Sequence, residues 1–119
     1  LLYKIREKQE IEIWGDGKIV RDYFYIRDGV RSVYKAMQYK GNKSVFNISS
    51  GKGYSIVQIL EMFRKVLKLE FEVKYLPPRK FDVKVNILDN KLAGKELNWK
   101  PETKIEEALK RTWRYVCDY

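Results

Sequence analysis

Residues 55–67, SIVQILEMFRKVL, constrain the fold of this chain more than any other stretch. Ser55, followed three residues later by Gln58, is the capping-box pattern that opens a helix. Behind it, Ile56, Ile59, Leu60, Phe63 and Leu67 recur at three- and four-residue spacing, so one face of the helix is apolar along its length. Such a face demands cover from a sheet or from other helices. The rest of the chain offers both. "EIEIWG" alternates, with Ile11 and Ile13 on one side, and "EFEVKYL" sets Phe71, Val73 and Tyr75 alike. "VFNI" is a further short strand candidate. Residues 1–8 read as the tail of a helix. Asp28 is a candidate N-cap for a helix carrying Val30, Val33, Tyr34 and Met37 as its apolar stripe. Asp89 is expected to cap a short helix running to about Leu97, which "NWKP" ends. Thr103 and Glu106 form a second capping-box pattern ahead of Ile105, Ala108, Leu109, Thr112 and Val116. The expectation is an α/β (α+β) domain over residues 1–119, with a small mixed sheet and about four helices and no internal linker.

Charge narrows the partners. There are 25 Lys+Arg against 16 Asp+Glu, a net charge of +9, which favours an anionic ligand. A single cysteine, Cys117, excludes an internal disulfide, and the absence of histidine removes the commonest general base and zinc ligand. No apolar run approaches the roughly 18 residues of a membrane span, and no signal peptide is evident, so a cytoplasmic, membrane-free protein is expected. Leu1 in place of Met leads to the expectation of a longer parent. A basic nucleic-acid-binding module is the rival on charge and on nine tyrosines. Against it, the lysines are spread along the chain and the aromatics fit no RNA-binding motif.

Three places carry candidate binding chemistry. In "VRDYFYIRDG" the pleat of a strand sets Val20, Phe24 and Ile26 with Asp22 on one face, and Arg21, Tyr23 and Tyr25 on the other. An arginine offers a planar fork of donors suited to phosphate oxygens, and Tyr23 beside it suits stacking on a base or donating its hydroxyl to a ligand. In "PPRKFD", Arg79 and Asp82 follow a stiff proline pair. They suit a local ion pair, or a phosphate and a sugar diol, since a carboxylate supplies only acceptors. Trp14, between a strand and the glycine turn "GDGK", suits packing or a flat base. Tyr39 and Lys43 match Tyr-x-x-x-Lys, but Gly41 and Asn42 between them deny the helix that this pair needs. "GDGK" and "GKG" match neither phosphate-loop spacing.

As an ordered set, "IEIWGDGKIVRDYFYIRDGV", "VFNISSGKGYSIVQI", "PPRKFDVKVNILDNKLAGKELNWKP" and "KIEEALKRTW" resemble the C-terminal, substrate-binding part of extended short-chain dehydrogenases. These are the NAD-dependent nucleotide-sugar epimerases and dehydratases of the UDP-glucose 4-epimerase kind. The resemblance covers nearly the whole chain. It implies that Arg21 binds the diphosphate of a UDP-sugar or related nucleotide sugar. It implies that Arg79 and Asp82 serve phosphate and ribose, and that Glu12, Ile13 and Trp14 contact the pyrimidine. Asn47 and the "SSG" turn are then structural, and Leu97, Trp99 and Pro101 form a packing corner. It further implies NAD in the parent protein, with its glycine-rich loop, catalytic Tyr-x-x-x-Lys and homodimer-forming helices all outside this chain. The chain itself is then expected to bind and not to catalyse. Two departures stand out. Asn98 sits where the family usually has glycine, and Arg27 where it often has aspartate. A structural domain with an inherited fold is the remaining alternative.

Overall fold

A computed structural model describes residues 1–118. Helix α1 (Leu2–Arg6) is followed by strands β1 (Ile11–Trp14) and β2 (Val20–Asp22) and helix α2 (Ile26–Met37). Then come β3 (Gly53–Ser55), α3 (Ile56–Leu67), β4 (Val73–Leu76), β5 (Val85–Asn86), α4 (Lys91–Leu97) and α5 (Ile105–Asp118). The class is mixed α/β as expected, with five helices among the described residues where about four were anticipated.

The strands form two small sheets. β1 and β4 run parallel, in the register Ile11–Val73 to Trp14–Leu76. β2 lies at the centre of the other sheet, antiparallel to β3 and parallel to β5. Gly53 on β3 is required by close approach, because a Cβ there would run into Val20 and Ile87. The 55–67 helix folds as its pattern dictates. The Ser55 side chain accepts from the Gln58 N–H, and the Gln58 side chain accepts from the Ser55 N–H. Ile59, Leu60 and Phe63 are buried with Leu2, Ile5, Ile11, Ile13 and Leu109 in the main core. A second core gathers Ala93, Leu97 and Trp99, with Tyr39, Phe46 and Ile48 against it. The packing corner at Leu97 and Trp99 is therefore present. Asn98 ends α4 at φ 47°, a left-handed conformation that asparagine tolerates nearly as glycine does.

Several expectations are corrected. The strand containing Arg21 stops at Asp22, so Phe24 and Ile26 do not share its pleat. The Asp22 carboxylate is drawn instead to the N–H groups of Ser50 and Gly51 and the Ser50 hydroxyl. Helix α2 then starts at Ile26, and Asp28 lies inside its first turn. Asp28 is 2 % exposed, and its carboxylate accepts from the N–H groups of Glu102 and Thr103. The apolar stripe of α2 is not covered: Val30, Val33, Tyr34 and Met37 are all more than half exposed, while Asp28 and Ser32 are the buried residues.

"VFNI" forms no ladder, because no described strand lies alongside it; Phe46 and Ile48 pack on the second core instead. In "EFEVKYL" pairing begins only at Val73, and Tyr75 is exposed. Asn90, not Asp89, precedes the first turn of α4, although Asp89 accepts from the Lys91 N–H. Helix α5 starts one residue later than a Thr103 cap requires: its first helical bond runs from the Ala108 N–H to the Lys104 carbonyl, while the Thr103 N–H donates to Asp28.

Candidate functional site

The turn after β1 is built by Gly15 and Gly17, both at positive φ. Gly17 is doubly constrained: a Cβ would lie 2.7 Å from Val57, and its carbonyl accepts from the Val57 N–H. Asp16 between them accepts from the Lys18 N–H at 3.0 Å and pairs with the Lys18 ammonium at 3.4 Å. These contacts, the backbone bond foremost, hold the Asp16 carboxyl below the usual carboxylate range. β4 runs parallel beside β1 and carries the chain from Leu76 into the prolines and Arg79. The chain returns through Asp82 and Lys84 into β5, which pairs with β2.

A cavity of roughly 940 Å³ opens where these pieces meet. Its apolar wall includes Trp14, Ile19, Leu76 and Pro78; its polar groups are Asp16, Lys18, Arg79, Asp82 and Lys84. An apolar slot with a few convergent polar groups is the ordinary form of a small-ligand site. The Arg79 guanidinium lies over the Trp14 indole, 4.1 Å from the ring centroid. The ion pair weighed for Arg79 and Asp82 does not form; among the described residues neither side chain has a charged protein partner. Five donors on Arg79 and the acceptors on Asp82 therefore face the opening free for a ligand.

A second cavity, between α2 and α5, is unlike it. Two of its arginines are already paired with carboxylates of the protein. Arg31 pairs with Asp28 and Glu102, and Arg111 pairs with Glu107 at 2.7 Å.

Of the residues named from sequence, Trp14, Arg79 and Asp82 come together in the first cavity. Arg21 stands behind it, donating to the carbonyls of Val20 and Val83 at 2.9 and 2.7 Å and bracing the loop between Asp82 and Lys84. Ile13 is buried in the main core, and Glu12 faces outward to Lys4 at 3.6 Å. Tyr23 packs against the main core, where burial pushes its hydroxyl pKa up. Lys18, Ile19, Lys84 and Val85 line the cavity without having been singled out. Lys18 stood in plain view within the quoted glycine turn; Lys84 and Val85 arrive only through the pairing of β5. Tyr39 and Lys43 lie outside any helix, and the Tyr39 hydroxyl donates to Glu96. That bond is the main cause of its raised pKa. Among the described residues no three metal-binding side chains gather, and no helix is long and apolar enough to cross a membrane.

The profile of the GDP-mannose 4,6 dehydratase family matches residues 2–112. The chain belongs to this family. It is 40% identical over 109 residues to a UDP-glucuronate 4-epimerase of Thermodesulfobacterium geofontis, covering 91% of this chain and 33% of the relative. A UDP-arabinose 4-epimerase of Arabidopsis thaliana is 35% identical over 84% of this chain and 25% of its own length. The same architecture is found in the Thermotoga maritima UDP-glucose 4-epimerase solved with UDP-glucose. Its TM-score is 0.90 at 38% identity, over 98% of this chain and 38% of that one. The Bacillus cereus UDP-glucuronic acid 4-epimerase, solved with UDP-glucuronic acid and NAD, has a TM-score of 0.89 at 26% identity, over 99% and 38%. The chain thus spans about a third of the length of the relatives it matches.

Proposed function

We propose that this chain is the nucleotide-grip domain of an NAD-dependent UDP-sugar 4-epimerase. The observation that carries the reading is the convergence of free Arg79 donors, free Asp82 acceptors and the Lys18 and Lys84 side chains on one apolar slot beside Trp14. Arginine and lysine suit a diphosphate, and an acceptor-only carboxylate suits the paired hydroxyls of a ribose. The relatives named above act on UDP-sugars, which combine those two groups. Holding the nucleotide fixes the sugar for reaction elsewhere, the ordinary use of remote binding energy in catalysis.

NAD supplies hydride exchange at the sugar when bound. Residues 1–119 contain no glycine-rich strand-to-helix turn of the dinucleotide kind, so they do not fit that cofactor and their part is confined to binding. Arg21 acts from behind the slot by holding the Val83 carbonyl, and with it the loop that presents Asp82 and Lys84.

Titration of UDP into the intact gene product by calorimetry tests this. Arg79→Ala and Asp82→Ala are each expected to weaken UDP about tenfold or more, the scale of a lost charge-assisted hydrogen bond. Undiminished UDP binding in both variants would remove the cavity from the function.

A further inference from the structure

We infer that Trp14 serves the nucleotide chiefly as a positioning residue for Arg79, and not as the platform on which the base stacks. The inference deepens the UDP-sugar reading and rests on it. Arg79 is solvent-exposed, follows two prolines and has no carboxylate partner among the described residues. A long side chain in that situation samples many rotamers, and ligand binding must freeze them. Here one contact defines where the guanidinium lies: the Trp14 ring, at 4.1 Å. Trp14 is itself anchored by its strand, with its backbone in register with Leu76 and buried Ile13 just before it. The backbone that carries the indole is therefore fixed by strand pairing, whereas Arg79 sits in a loop on a longer side chain.

A cation held over an indole keeps its N–H groups directed outward in the guanidinium plane, so the stack consumes none of the donors a phosphate needs. The ring face that Arg79 covers is also the face a base would otherwise use from that side. The geometry therefore couples Trp14 to the phosphates through Arg79 and leaves the base to other walls of the slot. Neither residue has this role alone: an isolated arginine would be unordered, and an isolated tryptophan would be an apolar wall.

The two roles of Trp14 separate by ligand. Dissociation constants for UDP and for phosphate-free uridine are compared in the wild type, Trp14→Ala, Trp14→Phe, Arg79→Ala and the Trp14→Ala/Arg79→Ala double variant of the intact gene product. Trp14→Ala is expected to weaken UDP about five- to tenfold while uridine changes by less than about twofold, as befits a stack that orders one side chain. Trp14→Phe, which keeps an aromatic face, is expected to recover UDP to within about threefold of the wild type. In the Arg79→Ala background, Trp14→Ala is expected to add less than about twofold, since the pair acts as a unit. Equal losses for UDP and uridine, or a full additional loss in the Arg79→Ala background, would overturn the inference and make Trp14 a base platform. A wild type that binds no UDP at all would overturn the UDP-sugar reading itself, and the inference with it.

Discussion

Asp28 shows how one carboxylate positions elements far apart in sequence. Its side chain accepts from the N–H groups of Glu102 and Thr103 and pairs with Arg31 at 3.3 Å, while its own carbonyl accepts from the Trp99 indole at 2.9 Å. Helix α2, the corner after α4 and the approach to α5 are thereby fastened at one residue. Asp28→Ala would leave two backbone donors without their acceptor and take from Arg31 one of its two carboxylate partners. The expected cost is about 2–4 kcal/mol, read from the midpoint of urea unfolding; a cost below about 1 kcal/mol would contradict the fastening role. The sequence pointed to Asp28 through its capping habit, which is a local property. Arg31 is within one helical turn, but the groups that Asp28 fastens at Trp99, Glu102 and Thr103 lie more than 70 residues away, and no local pattern contains them.

The cavity residues divide in the same way. Trp14, Arg79 and Asp82 were legible because each sits beside a turn or proline pair that projects a chemically distinctive side chain. Lys84 and Val85 were not, because their place follows from a two-residue strand that exists only by pairing with β2. Tyr23 and Arg21 were read as neighbours on one pleat, but the strand ends between them and they part company.

At the scale of elements, helices α2 and α3 are instructive opposites. Both have a strongly one-sided apolar pattern over 12 residues. In α3 that side is packed: Leu60 is 2 % exposed, beside Ile59 and Phe63. In α2 it faces outward, and the buried positions are Asp28 and Ser32, the latter donating to the Gly29 carbonyl at 2.6 Å. Periodicity reports that a helix has an apolar side; it does not report what lies over it. Thermal or urea unfolding separates the two. Leu60→Ala is expected to cost about 2–5 kcal/mol, the range for truncating a packed core leucine. Met37→Ser, at a position 77% exposed, is expected to change stability by less than about 0.5 kcal/mol. A large loss at Met37 would mean that this face is covered in solution. Strands followed the same logic: β1 was read correctly from its own alternation, whereas "VFNI" has strand-like residues and no partner strand.

The whole molecule is flat and open. Its extents are 49 × 37 × 21 Å and its radius of gyration is 16.5 Å, against about 13.5 Å expected for a compact chain of this length. Large apolar side chains stand exposed along α2 and at Phe81, Val83 and Val85. That shape agrees with a chain matching about a third of its relatives' length. The slot at Trp14 and Arg79 is nevertheless assembled from residues 14–19, 75–79 and 82–85. The central claim is that a nucleotide enters there. The most direct measurement is a UDP titration of the isotope-labelled protein followed by amide and indole resonances. The expected shifts map to Trp14, Gly15, Lys18, Arg79, Asp82 and Lys84, and leave Arg27, Arg31, Glu107 and Arg111 still. Shifts confined to the α2–α5 cleft, or none at saturating UDP, would contradict it.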